Sequence, residues 1–297
     1  MTDLKPYKIV AVVLHFNAPD SLLKVIDGIK NQTLRVHRIV IVDNASHRNL
    51  TDYFANDSTV KFIRLTENKG VGAGHNYGWR TAINDYGAEL IWSLEHDTIP
   101  KSDCLEKLVA HYNPEVIAAI GPIEDDGLDY SKKKYYVFHS FGLRKLTDRK
   151  RKAVYKGGMS FNGILIPSDL LENVGFLNED FFVGREDLDF YQRIYNAGGY
   201  VLRIPQAQVY HNLYKENVHV NFLNRVVLFP HQSITREYYS YRNAIYMSKH
   251  QNASMFKLYL RHMIGIALTV LFKDSKLIRI RNRIRAFRNG LDGRLGK

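Results

Sequence analysis

The feature that most restricts how this chain can fold is a series of short, unbroken apolar runs, each closed by polar residues. Lys8 to Phe16 (KIVAVVLHF), Arg38 to Val42 (RIVIV) and Glu89 to Leu94 (ELIWSL) are apolar at consecutive positions and rich in β-branched side chains. That is the pattern of strands covered on both faces, as in a parallel sheet. Val60 to Leu65 and Val116 to Ile120 read the same way. Helical patterns alternate with them: Leu22, Leu23, Ile26 and Ile29 after Pro19-Asp20-Ser21, a helix around Asn76 to Ile83, and another from about Ser102 to Tyr112. Alternation of this kind implies right-handed crossovers and an α/β fold with a mostly parallel sheet. Ligands of such sheets gather at the carboxyl ends of the strands. His15, Asn17, Asp43 and Asp97 fall there.

The pattern breaks at Glu124 to Lys156, a charged, tyrosine-rich stretch with the runs Lys132-Lys133-Lys134 and Arg149-Lys150-Arg151-Lys152. It reads as a hairpin or flap inserted, at about 124–157, into a first domain spanning 1–215. Gly163-Ile164-Leu165-Ile166-Pro167 resumes the core. A helix from Glu186 to Asn196 stops at Gly198-Gly199, a plausible C-cap. Tyr200 to Ile204 and Gln208 to His211 read as further strands. From about Asn212 the composition turns aromatic, basic and helical, so 216–297 is expected to be a separate helical segment.

Charge narrows the partners. The chain carries a net +12, and from Lys257 onward eleven Lys or Arg face two Asp. An anionic partner is implied. Nucleic acid is disfavoured, because the acidic motifs would repel a phosphate backbone and no nucleic-acid-binding motif occurs. Arg279, Arg281, Arg283, Arg285 and Arg288 follow the apolar stretch His262 to Phe272, and polybasic segments gain about 1 kcal/mol per charge at an anionic leaflet. A peripheral contact with the inner face of a cell membrane is the expectation for this tail. The single cysteine, Cys104, excludes an intrachain disulfide and a multi-thiolate zinc site, and suits a reducing cytoplasm. The N-terminal residues lack the order of a signal peptide, and no apolar stretch is long enough to span a bilayer.

The chemistry resides in two acidic clusters. Glu95-His96-Asp97 closes an apolar run, and Glu186-Asp187-Leu188-Asp189 opens a helical pattern. Grouped carboxylates repel one another and lose hydration, so they call for a cation or a proton in transfer. A cation beside a free carboxylate base is what group transfer from a diphosphate ester needs. Each residue also has a plainer reading. Asp43 is either a hydrogen-bond acceptor for a base ring or a helix cap. Asn68 to Gly74, with Gly72 inside it, is either a backbone that approaches phosphate or a tight loop. Acids in a first helical turn are favoured by the dipole alone. His211 is either a metal ligand or a structural hydrogen bonder. Arg242 either meets phosphate or packs in an amphipathic helix.

In order and spacing these pieces resemble the family 2 glycosyltransferases. The likeness is carried by His15-Phe16-Asn17, Asp43-Asn44-Ala45-Ser46, Asn68-Lys69-Gly70 with Gly72, Gly74 and Asn76, Glu95-His96-Asp97, Gly163 to Pro167, Asp187-Leu188-Asp189 and Val209-Tyr210-His211. Arg185 to Asp189 and Tyr238 to Asn243 resemble bacterial rhamnosyltransferases and galactofuranosyltransferases of cell-surface polysaccharide assembly. The resemblance implies a GT-A fold, Rossmann-like and binding a nucleotide sugar, with an inverting mechanism and a Mg²⁺ or Mn²⁺ ion. It implies a UDP- or dTDP-sugar donor, with a glycan or lipid-linked glycan acceptor. Asp43 would read the nucleobase, with His15, Asn17, Asn68, Gly72, Asn76 and Arg242 around the donor. Asp97 and His211 would hold the metal. Glu95 stands where the family has the first Asp of its metal motif, and would reach the metal or the donor ribose. Asp187 would deprotonate the acceptor, with Glu186 as the neighbouring candidate. A catalytically silent relative acting as a scaffold, and a basic nucleic-acid-binding protein, are the rival readings.

Overall fold

A computed structural model describes residues 7–128, 131–139, 142–145, 155–156, 160–211, 217–229, 232–251 and 254–297. In chain order the elements are β1 (Ile9–His15), α1 (Pro19–Lys30), β2 (Arg38–Asp43), α2 (Thr51–Phe54), β3 (Val60–Arg64), α3 (Val71–Asn84), β4 (Leu90–Glu95), β5 (Ile99–Pro100), α4 (Cys104–Val109) and β6 (Ala118–Asp125). There follow β7 (Lys134–His139), β8 (Gly142–Lys145), β9 (Tyr155–Lys156), β10 (Ile164–Pro167), α5 (Ser168–Val174), α6 (Glu186–Asn196) and β11 (Tyr200–Tyr210). The chain ends in β12 (Val218–Phe222), β13 (Arg225–Phe229), α7 (Ile234–His250), α8 (Met255–Phe272) and α9 (Lys276–Asp292). Two compact units emerge: Met1–Gly127 with Arg149–Glu179 and Glu186–His211, and Leu128–Asp148 with Asp180–Arg185 and Asn212–Lys297.

The first unit is built on a sheet of order β3-β2-β1-β4-β10-β6-β11-β5, with β9 on β11. β3, β2, β1 and β4 run parallel, as the unbroken apolar runs predict, and β11 is parallel to β6. The sheet is mixed, because β10 enters antiparallel between β4 and β6. Successive strand residues serve opposite faces. Ile9, Ala11 and Val13 pack with Leu22, Ile26 and Leu105 on one side, while Val10, Val12 and Leu14 pack with Trp79, Phe190 and Ile194 on the other. Helices on both faces are why those strands have no polar side.

Three sequence expectations are revised here. The two strands expected over Tyr200 to Ile204 and Gln208 to His211 are one, β11, which ends at Tyr210 and shifts register against β6 between Ile204 and Gln208. β6 runs on through Gly121-Pro122 to Asp125, beyond the expected end at Ile120. The stretch after 216 opens with β12 and β13 before any helix, and these join β7 and β8 in a sheet of order β12-β13-β7-β8. The expected flap is thus represented by β7 and β8, an antiparallel pair. The Arg149 to Lys152 run and the boundary near 212–215 lie outside the described residues.

In the second unit Ile245 of α7, Leu258 of α8 and Phe287 of α9 form a small core. The tail arginines do not form one free basic face. Arg279 is buried and pairs with Glu237 at 2.5 Å and with Asp274 at 2.9 Å. Arg283 stacks 3.9 Å above the Tyr241 ring, and Arg285 lies 4.6 Å from that of Tyr238. Charge counting could not anticipate this, since it cannot see a partner far away in sequence.

Candidate active site

Parallel pairing brings three strand ends into line: His15 is level with Asp43, and Leu14 with Glu95. His15 is buried with neither ring nitrogen hydrogen-bonded. Burial and the neighbouring His96 lower its pKa to about 4, against an upward pull from Asp43. Asp43 is also buried. Its Oδ2 meets Arg64 at 2.8 Å, and its Oδ1 accepts the Ser46 N–H at 2.9 Å. The Asn17 N–H donates to Ser46 Oγ, and Asn17 Oδ1 accepts the His47 N–H, both at 2.8 Å. Asn17 therefore ties the end of β1 to the turn after β2, and Asp43 ties that turn to Arg64 of β3.

The glycine-rich loop is held by a residue to which the sequence reading gave no role. Asn44 donates from Nδ2 to the Gly70 carbonyl and accepts the Lys69 N–H, both at 2.9 Å. Asn68 Oδ1 accepts the Gly70 N–H at 2.9 Å. The glycines behind it have a packing reason. A Cβ on Gly74 would lie 2.4 Å from Leu14 Cδ1, and one on Gly72 would lie 3.0 Å from the Asn178 carbonyl oxygen. α3 can therefore press onto β1. Buried Asn76 donates to the Leu177 carbonyl and to Glu179, and accepts the Leu177 N–H.

The ionic centre lies where β4, β6 and β11 end. The Glu95 carbonyl accepts the Thr98 N–H at 3.1 Å, a tight turn that presents Asp97. His211 follows β11, and its N–H donates to the Asp125 carbonyl. Its Nε2 is 3.5 Å from Asp97 Oδ2, and its Nδ1 is 3.6 Å from Glu124 Oε1. Glu124 is buried and accepts from Ser160 at 2.7 Å and from Asn162 at 2.9 Å. Asn162 also sits 2.8 Å from His211 Nδ1 and accepts the Thr98 hydroxyl at 2.8 Å, so it joins all three strand ends. Burial disfavours charge on the imidazole, yet the hydrogen bonds and charges of Asp97 and Glu124 outweigh it and raise the His211 pKa. The same contacts hold Glu124 down at about 2, against the cost of its burial. Sequence reasoning missed Glu124, although it closes an apolar run just as Asp97 does.

α6 brings the second acidic cluster. Glu186 is buried, Asp187 is half-buried, and Asp189 pairs with Arg193 at 3.1 Å one turn on. The Tyr191 hydroxyl is buried without a hydrogen-bond partner. Its pKa is raised by burial first and then by the charge of Asp187, with Glu124 adding to the rise and Arg203 opposing it. Arg242 belongs to the second unit. It donates to the Asp180 and Phe181 carbonyls, while Asn243 donates to those of Phe181 and Gly184. The pair fixes the loop that ends at Arg185, one residue before Glu186.

Asp97 and His211 suit a divalent ion. Metal–ligand bonds of about 2.1 Å would let an oxygen and a nitrogen 3.5 Å apart bind the same cation. An oxygen-plus-imidazole set is compatible with Mn²⁺ or Mg²⁺, and a carboxylate on the far ring nitrogen is the usual support of a metal-bound histidine. Among the described residues no three of His, Cys, Asp and Glu converge to hold a metal. Glu95 therefore forms no such trio with Asp97 and His211, and other ligands would have to come from diphosphate and water.

Comparison with known proteins gives a consistent result. The sequence profile of Glycosyl transferase family 2 matches residues 10–168. The dTDP-rhamnosyl transferase RfbF of Shigella flexneri is 26% identical over 298 residues, covering 97% of each chain. The fold resembles GalNAc-T7, solved with UDP, GalNAc and Mn²⁺, with a TM-score of 0.61 at 15% identity; 98% of this chain matches 57% of that one. It also resembles the mannosyltransferase PcManGT of Pyrobaculum calidifontis, solved with GDP-Man and Mn²⁺, with a TM-score of 0.55 at 15% identity over 98% of this chain and 78% of the other.

Proposed function

Because the chain belongs to glycosyl transferase family 2, we propose that it is a metal-dependent inverting transferase moving a deoxyhexose, rhamnose foremost, from a dTDP-sugar to a saccharide or lipid-linked saccharide in cell-surface polysaccharide assembly. The observation that carries this reading is the pairing of Asp97 with His211 over buried Glu124, where β4, β6 and β11 end. The near full-length likeness to a dTDP-rhamnosyl transferase supports rhamnose over galactofuranose and dTDP over UDP.

Asp97 and His211 would hold Mg²⁺ or Mn²⁺, and the bound cation would neutralise the charge that grows on the departing diphosphate. The Mn²⁺ in two structural neighbours supports that assignment. Asp187 takes the proton of the acceptor hydroxyl as its oxygen bonds to the anomeric carbon. The bond from that carbon to the diphosphate oxygen breaks on the opposite face, with inversion. Glu124 and Asn162 fix the His211 ring from its Nδ1 side, so that Nε2 faces Asp97 and would be the ligand atom. The work takes place in the cytoplasm, on an acceptor held at the inner membrane face.

A thermal-shift series with dTDP-rhamnose and UDP-sugars, with and without Mn²⁺, tests the donor. Stabilisation by dTDP-rhamnose that requires Mn²⁺ and is lost in Asp97→Ala is expected. Equal stabilisation with and without the ion would overturn the metal assignment, and a response to UDP-sugars alone would overturn the donor.

A further inference from the structure

α8 carries a surface that its own unit does not cover. At about 100° per residue, Phe256, Tyr259, Leu260, Met263, Val270 and Leu271 share one face of this 18-residue helix. All six are exposed, with Phe256 at 76%, Met263 at 60% and Leu271 at 67%. The opposite face, with Leu258, His262 and Thr269, is buried. A helix whose inward face is complete and whose outward face is apolar along its whole length has a second partner. Leu277, 85% exposed, and Ile278 extend the apolar surface past the bend into α9.

Charge decides between partners. Lys257 and Arg261, both exposed, flank the stripe on α8, and α9 carries exposed Arg281, Arg285 and Arg288. From Lys257 to the end, eleven basic and two acidic residues leave a net +9. A second copy would set +9 against +9, whereas an anionic bilayer meets both the charge and the apolar face. No helix among the described residues is long and apolar enough to cross a membrane, so the contact is with the surface.

We propose that α8 lies in the headgroup layer of an anionic membrane, with Phe256, Met263 and Leu271 inserted and Lys257 and Arg261 beside them on the lipid phosphates. This deepens the reading of a lipid-linked acceptor. It differs from a polybasic tail in its residues, since Arg279 and Arg283 are committed inside the helical unit.

Flotation of the full chain with vesicles of equal parts phosphatidylglycerol and phosphatidylcholine tests it. Binding by the parent is expected, weaker on pure phosphatidylcholine. Each leucine-sized replacement by Gln at Phe256, Met263 or Leu271 should reduce partitioning on the order of tenfold, whereas Met263→Leu keeps it. These positions face solvent, so thermal midpoints and lipid-free hydrolysis of the nucleotide sugar should stay at parent values. That readout separates failure of the membrane contact from failure of the transferase reading. No flotation by the parent, or undiminished flotation of the triple Gln variant, would overturn the proposal. So would a parent dimer that the triple variant dissolves without any vesicle binding, since the stripe would then be a self-association face.

Discussion

Two ionic clusters of similar composition stand in the two units, and they differ in what is left for a ligand. Around Arg279, Glu237, Lys273 and Asp274 the donors and acceptors answer one another, and Arg279 is 3% exposed. Around His211 the inner carboxylate Glu124 is buried among Ser160, Asn162 and the imidazole, while the outer one, Asp97, is 45% exposed. The first cluster joins helices and is complete in itself. The second has a fixed inner half and an outer half that meets solvent, which is how a site that takes up a cation and a diphosphate must be built. Ionic residues in number do not mark function, nor does uneven burial, since Asp274 is 60% exposed beside Arg279; what sets the second cluster apart is an imidazole and a carboxylate side by side, a pair that can share a cation.

The strongest way to break this comparison is at Asp187. Asp187→Asn keeps shape and removes the proposed base, and loss of a positioned base typically costs about 10²–10⁴-fold in rate. Turnover should fall by that amount with dTDP affinity retained, as read by nucleotide release with acceptor present. Retained turnover would move the base to Glu186 or elsewhere. The closed cluster should answer in a different currency. Arg279→Ala removes a buried cation hydrogen-bonded to Glu237 and Asp274, while Glu237 keeps Lys273 and Asp274 keeps solvent, so the loss is about 2 kcal/mol. Urea unfolding should record that loss, while Mn²⁺-dependent nucleotide binding well below the melting range stays unchanged.

Acid sensitivity sharpens the contrast further. His75 is wholly buried, with Nδ1 3.1 Å from Ser93 Oγ, and burial lowers its pKa to about 3; His15 stands at about 4. Both folded values lie below the ordinary 6.5, so between pH 6.5 and about 4 the unfolded chain binds protons that the folded chain does not. Stability is therefore full above pH 6.5 and falls with acid, by about 1.4 kcal/mol per pH unit for each such histidine. Unfolding midpoints in urea at stepped pH check the slope, and His75→Gln should shrink it by one proton.

How much of this was legible depended on whether a residue's partner was local. Strands buried on both faces announce themselves, because no polar position interrupts Ile9 to Leu14, and the rule that ligands collect at strand ends then picked out Asp97 and Asp43. His211 was placed at a strand end by the same logic. Glu124 escaped because Gly121-Pro122 interrupts the apolar run before it, which made the strand look finished at Ile120 and the acid look like the start of a charged flap. Asn162 has no chemical signature, and its four-way role exists only once β10 inserts antiparallel beside β4. Gly72 and Gly74 carried a true signal of close approach, but the approaching groups are Asn178 and Leu14. Phosphate and side chain ask the same thing of a glycine, so only coordinates distinguish them. The arginines of α9 were counted correctly, and Arg281, Arg285 and Arg288 do stay exposed, but the pairing of Arg279 with Glu237 and the stacking of Arg283 on Tyr241 are invisible to composition.

The finest comparison lies within a single helix. Asp187 and Asp189 occupy the same first turn of α6, where the helix dipole favours any negative charge. Asp189 is held by Arg193 one turn on, a local pair with both side chains partly exposed. Such pairs contribute about 0.3–0.5 kcal/mol, and the dipole adds about as much. Asp189→Asn should therefore lower stability by about 1 kcal/mol or less, and added salt should narrow the gap, because exposed pairs are screened. Nucleotide release should proceed at the parent rate. A rate loss at Asp189 approaching that at Asp187 would mean that the turn acts as one acidic patch, and that burial beside Tyr191 does not single out the base.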